Sequence, residues 1–434
     1  MSTEALPAPL PPGWADRMSA LVGPLIRRRW SLLATLGLMV IGMLASTWGA
    51  TLAGRPDWGL PDDLWRTLAA AQRLLHLDIG GLYTAPTELI SFPGAAVILV
   101  PAAAVADAAG LSLQLAGPQN PQPAVWLLAG PYEIAIASLA LLAADALAEH
   151  LGATQLKRLL LAAAGAAALW GLTLRFGHPE DAVATGLFLF GILALAQSRV
   201  RRSGWLIGAA VAVQPLVLLA LPFVLVTVGP RRLPGMLVRA AAPGALLLGI
   251  AAVANWSATV TAVTSQPNSP AVNRPTPWTS LIAHGSGGMV AAGPARALAI
   301  LVACGCALLA GRRWRAAAQI GEWSTGRLTE LLWWVAVALA LRCVFEPVMV
   351  AYYLWPALAV ALIAASRSWP RLLAVSAASA ALTFGAQAPW RDPWTWWLPV
   401  TAGLALTLWL AYAPRTGDQL SPAPVMTDAA GGSR

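Results

Sequence analysis

Long apolar runs recur along almost the whole of this chain. Their length, roughly 17–25 residues, is what an α-helix needs to cross the hydrocarbon core of a bilayer at 1.5 Å per residue. They lack the period-two alternation of a membrane β-barrel. Because 58% of the 434 residues are hydrophobic and only 11% are charged, the polar surface is too small to cover a soluble globule. The sequence therefore predicts an all-α, polytopic integral membrane protein.

Basic residues lie in short clusters between the apolar runs, so the net charge of +9 does not form one basic face or tail. We interpret the clusters as topology signals, and no nucleic-acid partner is expected. Because cytoplasmic loops are enriched in Lys and Arg, the N-terminal segment 1–29 and the tail 413–434 are predicted to be cytoplasmic, the tail being disordered. The three cysteines lie inside apolar runs and predict neither a disulfide nor a metal framework.

The membrane domain is predicted over residues 30–412, with about eleven spanning segments. Three loops are expected on the outer face: 51–90, 175–181 and 255–293. Run 91–109 contains two prolines, and a full crossing there would place every later basic cluster outside, so it is predicted to lie in the outer interface. Run 205–228 has basic clusters on both sides and two prolines, which indicates a re-entrant pair of half-helices.

Two adjacent carboxylates, Asp62 and Asp63, follow the first apolar run. A carboxylate at the membrane surface, partly shielded by a helical loop, is suited to removing a proton from an incoming hydroxyl group. The alternative is a capping role, since the two residues begin a helical run and could accept hydrogen bonds from its first amide groups. The sequence leaves both roles open.

A second polar cluster, containing Arg175, His178, Glu180 and Asp181, lies at the predicted outer end of an apolar run. These side chains could hold a phosphate, a metal or a sugar hydroxyl group. Alternatively, Pro179 and the two acidic residues are a favourable first turn for the next helix.

A third cluster combines Arg342 with Glu346 one turn later, followed by Tyr352 and Tyr353. An arginine in hydrocarbon costs about 2.5–3.5 kcal/mol on insertion scales, so ionisable residues there usually line a cavity or pair with each other. The alternative role for Arg342 and Glu346 is a purely structural ion pair. Glu133 is a further carboxylate inside an apolar run, and the sequence gives it no role.

Short motifs, two of which include these clusters, occur in a recognisable order along the chain. They are Gly80-Gly-Leu-Tyr83, Phe92-Pro-Gly, Gly177-His-Pro-Glu-Asp181, Gly204 through Gln214-Pro-Leu216, and Arg342 through Tyr352-Tyr-Leu-Trp-Pro356. This order, over about residues 30–412, resembles the membrane glycosyltransferases of the GT-C superfamily. The similarity is greatest to the actinobacterial mannosyl- and arabinofuranosyltransferases that use polyprenyl-phosphate sugars. This family is also known under the name of a domain of unknown function. Gln214 departs from the pattern, since relatives often carry Lys there.

The resemblance implies a GT-C-like fold in a bacterial plasma membrane, with an extracytoplasmic active site. It implies transfer of a sugar, mannose by family frequency, from a polyprenyl phosphate to a glycolipid or cell-envelope glycan. By position it assigns the general base to Asp63, with Asp62 in reserve. The remaining residues expected to contact the donor phosphate or the substrates are Arg342, Arg175, His178, Glu180, Asp181, Tyr352 and Tyr353. No cofactor or metal site is expected, although a divalent metal is left open.

A protein of another class could use the same cavity without chemistry, as a lipid or glycolipid transporter or as a non-catalytic protein of envelope assembly. A transporter should show internal pseudo-symmetry, with broken helices at matching places in its two halves. The sequence contains one broken pair, at 205–228, and no counterpart.

Overall fold

The computed structural model describes residues 23, 26–52, 59–85, 87–115, 123–270, 274–284, 288–316, 323–388 and 392–412. Within these ranges the chain is mostly helical, with a few strands of two residues, which confirms the all-α class. The tail 413–434 and most of the segment 1–29 lie outside the described residues. The predictions for these two segments therefore stay predictions.

The helices are, in chain order, α1 (Arg29–Leu52), α2 (Asp62–Leu75), α3 (Pro93–Val97), α4 (Val100–Ala108), α5 (Trp126–His150), α6 (Gln155–Trp170), α7 (Pro179–Ala196), α8 (Val200–Val213), α9 (Leu221–Leu225), α10 (Leu233–Ala254), α11 (Trp256–Ser265), α12 (Gly293–Ala316), α13 (Thr325–Phe345), α14 (Trp355–Ala365), α15 (Trp369–Gly385) and α16 (Pro393–Ala411). Of the described helices, 7 are long and apolar enough to cross a membrane, namely α1, α5, α6 together with the π-helical turn that continues it to Arg175, α7, α10, α12 and α13. The prediction of about eleven spans and the GT-C fold remain predictions.

Both segments that were predicted not to cross as single helices are broken. Run 91–109 forms α3 and α4, and the 9 residues of α4 rise only about 14 Å against a hydrocarbon core of about 30 Å. In run 205–228, α8 stops before Gln214, which is extended with φ −150° and ψ 119°. Pro215 explains the break, because proline disfavours the helical conformation of the residue before it. A 3₁₀ turn, Pro215–Leu219, then leads to α9.

The predicted outer loop 255–293 contains more regular structure than its composition suggested. It begins with α11, which the sequence reasoning missed because its many Thr and Val residues have low helix propensity. The Asn255 side chain caps this helix by accepting a hydrogen bond from the amide of Ala258 at 3.2 Å. Strands β1 (Pro267–Asn268) and β3 (Val290–Ala291) then pair antiparallel within the loop.

The same loop is tied to the end of α13. Strand β2 (Arg274–Pro275) pairs antiparallel with β4 (Val348–Met349). The Thr276 hydroxyl donates to the carbonyl oxygen of Glu346 at 2.8 Å. The loop is therefore held over the end of the helix bundle at which α6 and α13 finish and α7 begins, which we call the site end.

A buried ion network joins α5, α6 and the residue before α1 at the opposite end of the bundle. Arg158 donates to both oxygens of Asp145, at 2.5 and 2.8 Å, and the two side chains are 2% and 1% exposed. Arg28 donates to Asp145 at 3.0 Å and to Glu149 at 2.5 Å. Each buried charge thus has an opposite partner, as burial of charge requires.

Replacing Asp145 by asparagine should destabilise the protein, because it leaves the buried guanidinium of Arg158 without its main counter-charge. Breaking a buried pair in this way costs about 3–5 kcal/mol. Glu149→Gln is the matched control and should cost much less, since the Glu149 side chain is 37% exposed. Melting temperatures of the purified variants in detergent measure the difference. Equal melting temperatures would show that the network does not hold these helices together.

Candidate functional site

The structure separates the roles of the two adjacent aspartates. Helix α2 begins at Asp62 and its N-cap is Pro61, so neither aspartate is the N-cap residue and the capping alternative is wrong. Asp62 instead accepts a hydrogen bond from Nε of Arg66 at 2.9 Å, and its side chain is 54% exposed. Oδ2 of Asp63 lies 2.8 Å from Nε2 of His178. Of the two, only Asp63 joins the second predicted cluster.

The turn between α6 and α7 brings His178 to Asp63. Helix α6 ends in a π-helical turn, Gly171–Arg175, and Gly177 follows with φ +68°. A Cβ atom on Gly177 would lie 2.6 Å from Cβ of Leu64, so a larger residue would push the turn away from α2. Glycine therefore serves both the left-handed backbone and the close approach.

His178 is buried between two carboxylates. Its Nδ1 lies 2.8 Å from Oε1 of Glu180, and its Nε2 faces Asp63. Burial alone would lower the pKa of His178, but the charge of Glu180 and the hydrogen bonds to both carboxylates raise it well above its usual value. The ring is therefore an imidazolium at neutral pH and donates from both nitrogens.

The charge state of Asp63 follows from this contact. Burial alone would raise the pKa of Asp63, but the hydrogen bond and the positive charge of His178 outweigh burial, so the pKa lies below its ordinary value. Its side chain is 38% exposed, whereas that of His178 is 3% exposed. Asp63 is thus an ionised carboxylate at the accessible end of a buried chain.

Asp181 belongs to a separate set of bonds, in which each of its carboxylate oxygens has a donor. Its Oδ1 accepts a hydrogen bond from Nε2 of Gln214 at 2.6 Å, and its Oδ2 faces a nitrogen of Arg342 at 3.4 Å. Gln214 in turn accepts a hydrogen bond from Ser91 at 3.1 Å. Gln214, the extended residue at the break after α8, therefore binds Asp181.

The ion pair between Arg342 and Glu346 is present, but it is long, and Glu346 has a second and closer cation. Nε of Arg342 lies 3.9 Å from Glu346, whereas Arg296 binds the same carboxylate through Nε at 3.0 Å and through a terminal nitrogen at 2.5 Å. Arg342 also lies over the ring of Tyr353, 3.6 Å from its centroid, and faces Asp181 at 3.4 Å. Sequence reasoning missed Arg296, although an arginine near the start of the apolar helix α12 was a usable signal.

Two aromatic residues connect these sets of bonds. The ring of Tyr352 stacks on that of His178 with centroids 4.2 Å apart, and Tyr353 meets Tyr352 edge to face at 4.8 Å. The Tyr353 hydroxyl accepts a hydrogen bond from Asn268 at 3.3 Å. The predicted residues Tyr352 and Tyr353 therefore place His178, Arg342 and the loop after α11 against one another.

Arg175, like Asp62, is a predicted site residue whose side chain does not join the cluster around His178. Its guanidinium donates to the side chain of Gln387 and lies over the ring of Phe176. Arg274 approaches the same place and donates to the carbonyl oxygen of Ala388 at 2.5 Å. These two arginines thus form a basic edge beside the site, separate from the chain formed by Asp63, His178 and Glu180.

The described residues contain no group of three or more His, Cys, Asp or Glu side chains arranged to hold a metal ion. The two nitrogens of His178 each face a different carboxylate. Comparison with family models, with curated proteins and with solved structures gives no match to this chain. The site thus combines an ionised carboxylate, a buried imidazolium and, on the far side of Tyr352 and Tyr353, an arginine.

Proposed function

We propose that this protein is a membrane glycosyltransferase that moves a sugar from a polyprenyl phosphate to a hydroxyl group of a glycolipid or cell-envelope glycan. The observation that carries the proposal is the ionised, accessible carboxylate of Asp63, held by the buried His178, whose ring is linked to Arg342 through the stacked rings of Tyr352 and Tyr353. A base beside a cation suits a reaction in which a hydroxyl group attacks and an anion leaves. Mannose is the sugar that the family resemblance favours.

The reaction would proceed as follows. The acceptor hydroxyl gives its proton to Oδ1 of Asp63, since Oδ2 is engaged by His178. The acceptor oxygen forms a bond to the anomeric carbon, and the bond from that carbon to the phosphate oxygen breaks. The bonding electrons stay on the phosphate, which is already a stable anion and needs little acid assistance. Proton removal from the acceptor is therefore the step that most needs a catalyst.

The leaving phosphate would be stabilised by Arg342. A guanidinium offers several fixed donors to phosphate oxygens and keeps its charge at all relevant pH values. In the structure its neighbours are Asp181 at 3.4 Å and Glu346 at 3.9 Å, both at the long end of ion-pair distances. These contacts leave the donor groups of Arg342 weakly engaged and available for a shorter bond to phosphate.

The proposal includes a location in the bacterial plasma membrane, with cytoplasmic termini and an extracytoplasmic site. The support for this location is that the buried ion network and the candidate site lie at opposite ends of the helix bundle. The ion network around Arg158 lies at the end of α5 and the start of α6, whereas Asp63 and His178 lie at the site end. The basic clusters of the sequence favour the cytoplasmic side for the network end.

The proposal is tested with purified full-length protein, radiolabelled polyprenyl-phosphate mannose and a membrane lipid extract as acceptor. Transfer of the label to an acceptor lipid or glycan is the expected result. A second assay uses the labelled donor in sealed vesicles that contain the protein. Movement of the donor across the vesicle membrane without any transfer would favour the transporter alternative and overturn the enzyme.

Arg342→Gln should weaken donor binding by about 10–100-fold, the loss expected for a hydrogen bond to a charged group. The Michaelis constant for the donor should rise while that for the acceptor changes little. Arg327→Gln, on the same helix but facing Trp323, is the matched control and should leave both constants unchanged. If Arg342→Gln kept its donor affinity and only lowered the yield of folded protein, Arg342 would be a structural residue.

A further inference from the structure

Both carboxylates beside Arg342 are bound more closely by another residue. Asp181 lies 3.4 Å from Arg342, but it accepts a hydrogen bond from Gln214 at 2.6 Å. Glu346 lies 3.9 Å from Arg342, but it accepts hydrogen bonds from Arg296 at 2.5, 3.0 and 3.1 Å. Among the described residues, the guanidinium of Arg342 makes one hydrogen bond, the long one to Asp181. The cation of the proposed phosphate site is therefore surrounded by acidic groups that are engaged elsewhere.

Arg296 holds Glu346 at two points. Its Nε atom lies 3.1 Å from Oε1 and 3.0 Å from Oε2 of Glu346, and a terminal nitrogen donates to Oε1 at 2.5 Å. A forked contact of this kind fixes the orientation of a carboxylate as well as its distance. The Glu346 side chain is 0% exposed, so bulk water does not compete for it. The position of this carboxylate is therefore set by Arg296.

The loop between α11 and α12 fixes Arg296 in turn. Arg296 lies in the first turn of α12, and its other terminal nitrogen donates to the side-chain oxygen of Gln266. Gln266 ends α11 in the left-handed conformation, with φ 43° and ψ 65°, which is uncommon for a residue with a side chain. Its backbone carbonyl accepts from the amide of Ala292 at 3.3 Å, and its side-chain nitrogen donates to the carbonyl oxygen of Val263 at 2.9 Å. These bonds keep the side chain of Gln266 on Arg296.

Without Arg296, Glu346 would turn to Arg342. Among the described residues, Arg342 is the other cation within ion-pair distance of Glu346. A buried carboxylate needs a counter-charge, because its hydration is lost on burial. A movement of about 1 Å would shorten the 3.9 Å contact to a charge-assisted hydrogen bond. Glu346 would then occupy N–H groups of Arg342 that a phosphate needs.

We propose that Arg296 is a positioning residue of the donor site, which keeps Glu346 away from Arg342 and so leaves Arg342 open to the donor phosphate. Arg296 acts through Glu346 rather than by contact with the substrate. The inference rests on the proposed function, in which Arg342 binds the leaving phosphate. It adds the loop that holds Arg296 to the parts of the chain that determine donor affinity.

Binding of polyprenyl phosphate to the purified full-length protein tests this role without sugar transfer. The probe has the lipid and the phosphate of the proposed donor and lacks the sugar. Arg296→Gln should weaken its binding by about 10–100-fold, as Arg342→Gln does, because both changes remove a hydrogen bond between charged groups, Arg342 and the phosphate. Arg312→Gln, exposed at the other end of α12, is the matched control and should bind as the wild type does.

The double variant Arg296→Gln/Glu346→Gln separates positioning from a direct or a purely structural role. It removes the carboxylate together with the residue that holds it, so no acidic group is released toward Arg342. Its affinity for polyprenyl phosphate should return to within a few-fold of the wild type. It also leaves neither charge of this pair buried alone, so it should fold even if Arg296→Gln does not. Affinity as low as that of Arg342→Gln in the double variant would overturn the proposal, because removing Glu346 repairs neither a lost contact of Arg296 with the phosphate nor a damaged fold.

Gln266→Ala is a second and milder test. It removes the acceptor of one Arg296 nitrogen and keeps both charges of the pair, so Glu346 gains freedom to approach Arg342. Affinity for polyprenyl phosphate should fall by about 2–10-fold, the loss expected for one hydrogen bond of typical net strength. Unchanged affinity in this variant or in Arg296→Gln would contradict the positioning role.

Transfer kinetics distinguish failure of this inference from failure of the proposed function. In the transfer assay, Arg296→Gln should raise the KM for the donor more than it lowers kcat, as expected when an interaction of the bound donor is lost. Transfer with a wild-type KM in Arg296→Gln would overturn the positioning role alone. Binding of polyprenyl phosphate that is lost in Arg296→Gln and regained in the double variant, without any transfer by the wild type, would overturn the enzyme alone.

Discussion

Asp63→Asn should abolish detectable sugar transfer while the protein keeps its fold. Loss of a proton-transfer group costs on the order of 10²–10⁴ in rate. Asparagine has almost the same volume and can still accept a hydrogen bond from His178 through its amide oxygen. The yield, monodispersity and donor binding of the detergent-extracted variant should therefore match those of the wild type. Initial rates with labelled donor measure the effect.

Asp62→Asn is the matched control, because Asp62 precedes Asp63 directly and pairs with Arg66 at the surface. Its rate should stay within a few-fold of the wild type, since an exposed ion pair contributes about 0.2–1 kcal/mol. Full turnover by Asp63→Asn combined with failure of Asp62→Asn would move the base by one residue. Full turnover by the double variant would remove the start of α2 from the chemistry.

His178→Gln should have the second largest effect and should change the pH profile as well as the rate. The charge and hydrogen bond of His178 lower the pKa of Asp63, while burial alone would raise it. Without the imidazolium the effect of burial remains, so the pKa of Asp63 rises. Because the base works only when ionised, activity is present above this pKa and is lost as pH falls through it. The acidic limb of the profile should therefore move to higher pH.

The rate of His178→Gln at neutral pH should fall by about 10–100-fold, the loss expected for a hydrogen bond to a charged group. His76→Gln is the control, since the His76 side chain is 58% exposed and its nearest carboxylate is Asp107 at 3.7 Å. Rate profiles between acidic and neutral pH compare the three proteins. A rate loss in His178→Gln without any shift of the acidic limb would show that His178 only supports the fold.

The parts of this fold that could be predicted depend on local properties of the sequence. The length of an apolar run decides whether a helix can cross a bilayer. A proline such as Pro215 acts on the residue next to it. The all-α class and the breaks in runs 91–109 and 205–228 were therefore accessible from the sequence. Whether the chain has about eleven spans and a GT-C fold depends on how its helices assemble, and a hydropathy pattern does not contain that information.

The residues that pair within the site are far apart in the sequence, and the hydrophobic periodicity of a sequence does not encode such pairs. His178 meets Asp63 across 115 positions, and Arg296 meets Glu346 across 50. The choice between Asp62 and Asp63 depends on the exact start of α2, because neighbouring residues point about 100° apart around a helix axis.

Asp181 leaves the ribosome 161 positions before Arg342, the cation that it faces in the finished protein. Helix α7 is therefore synthesised, and its carboxylate delivered to the membrane, long before the matching charge exists. Arg342 later enters on α13, where an unmatched arginine would meet the insertion cost of a charge in hydrocarbon. The pair thus links the biogenesis of two distant helices, and a chain that stops before α13 carries a carboxylate whose counter-charge never arrives.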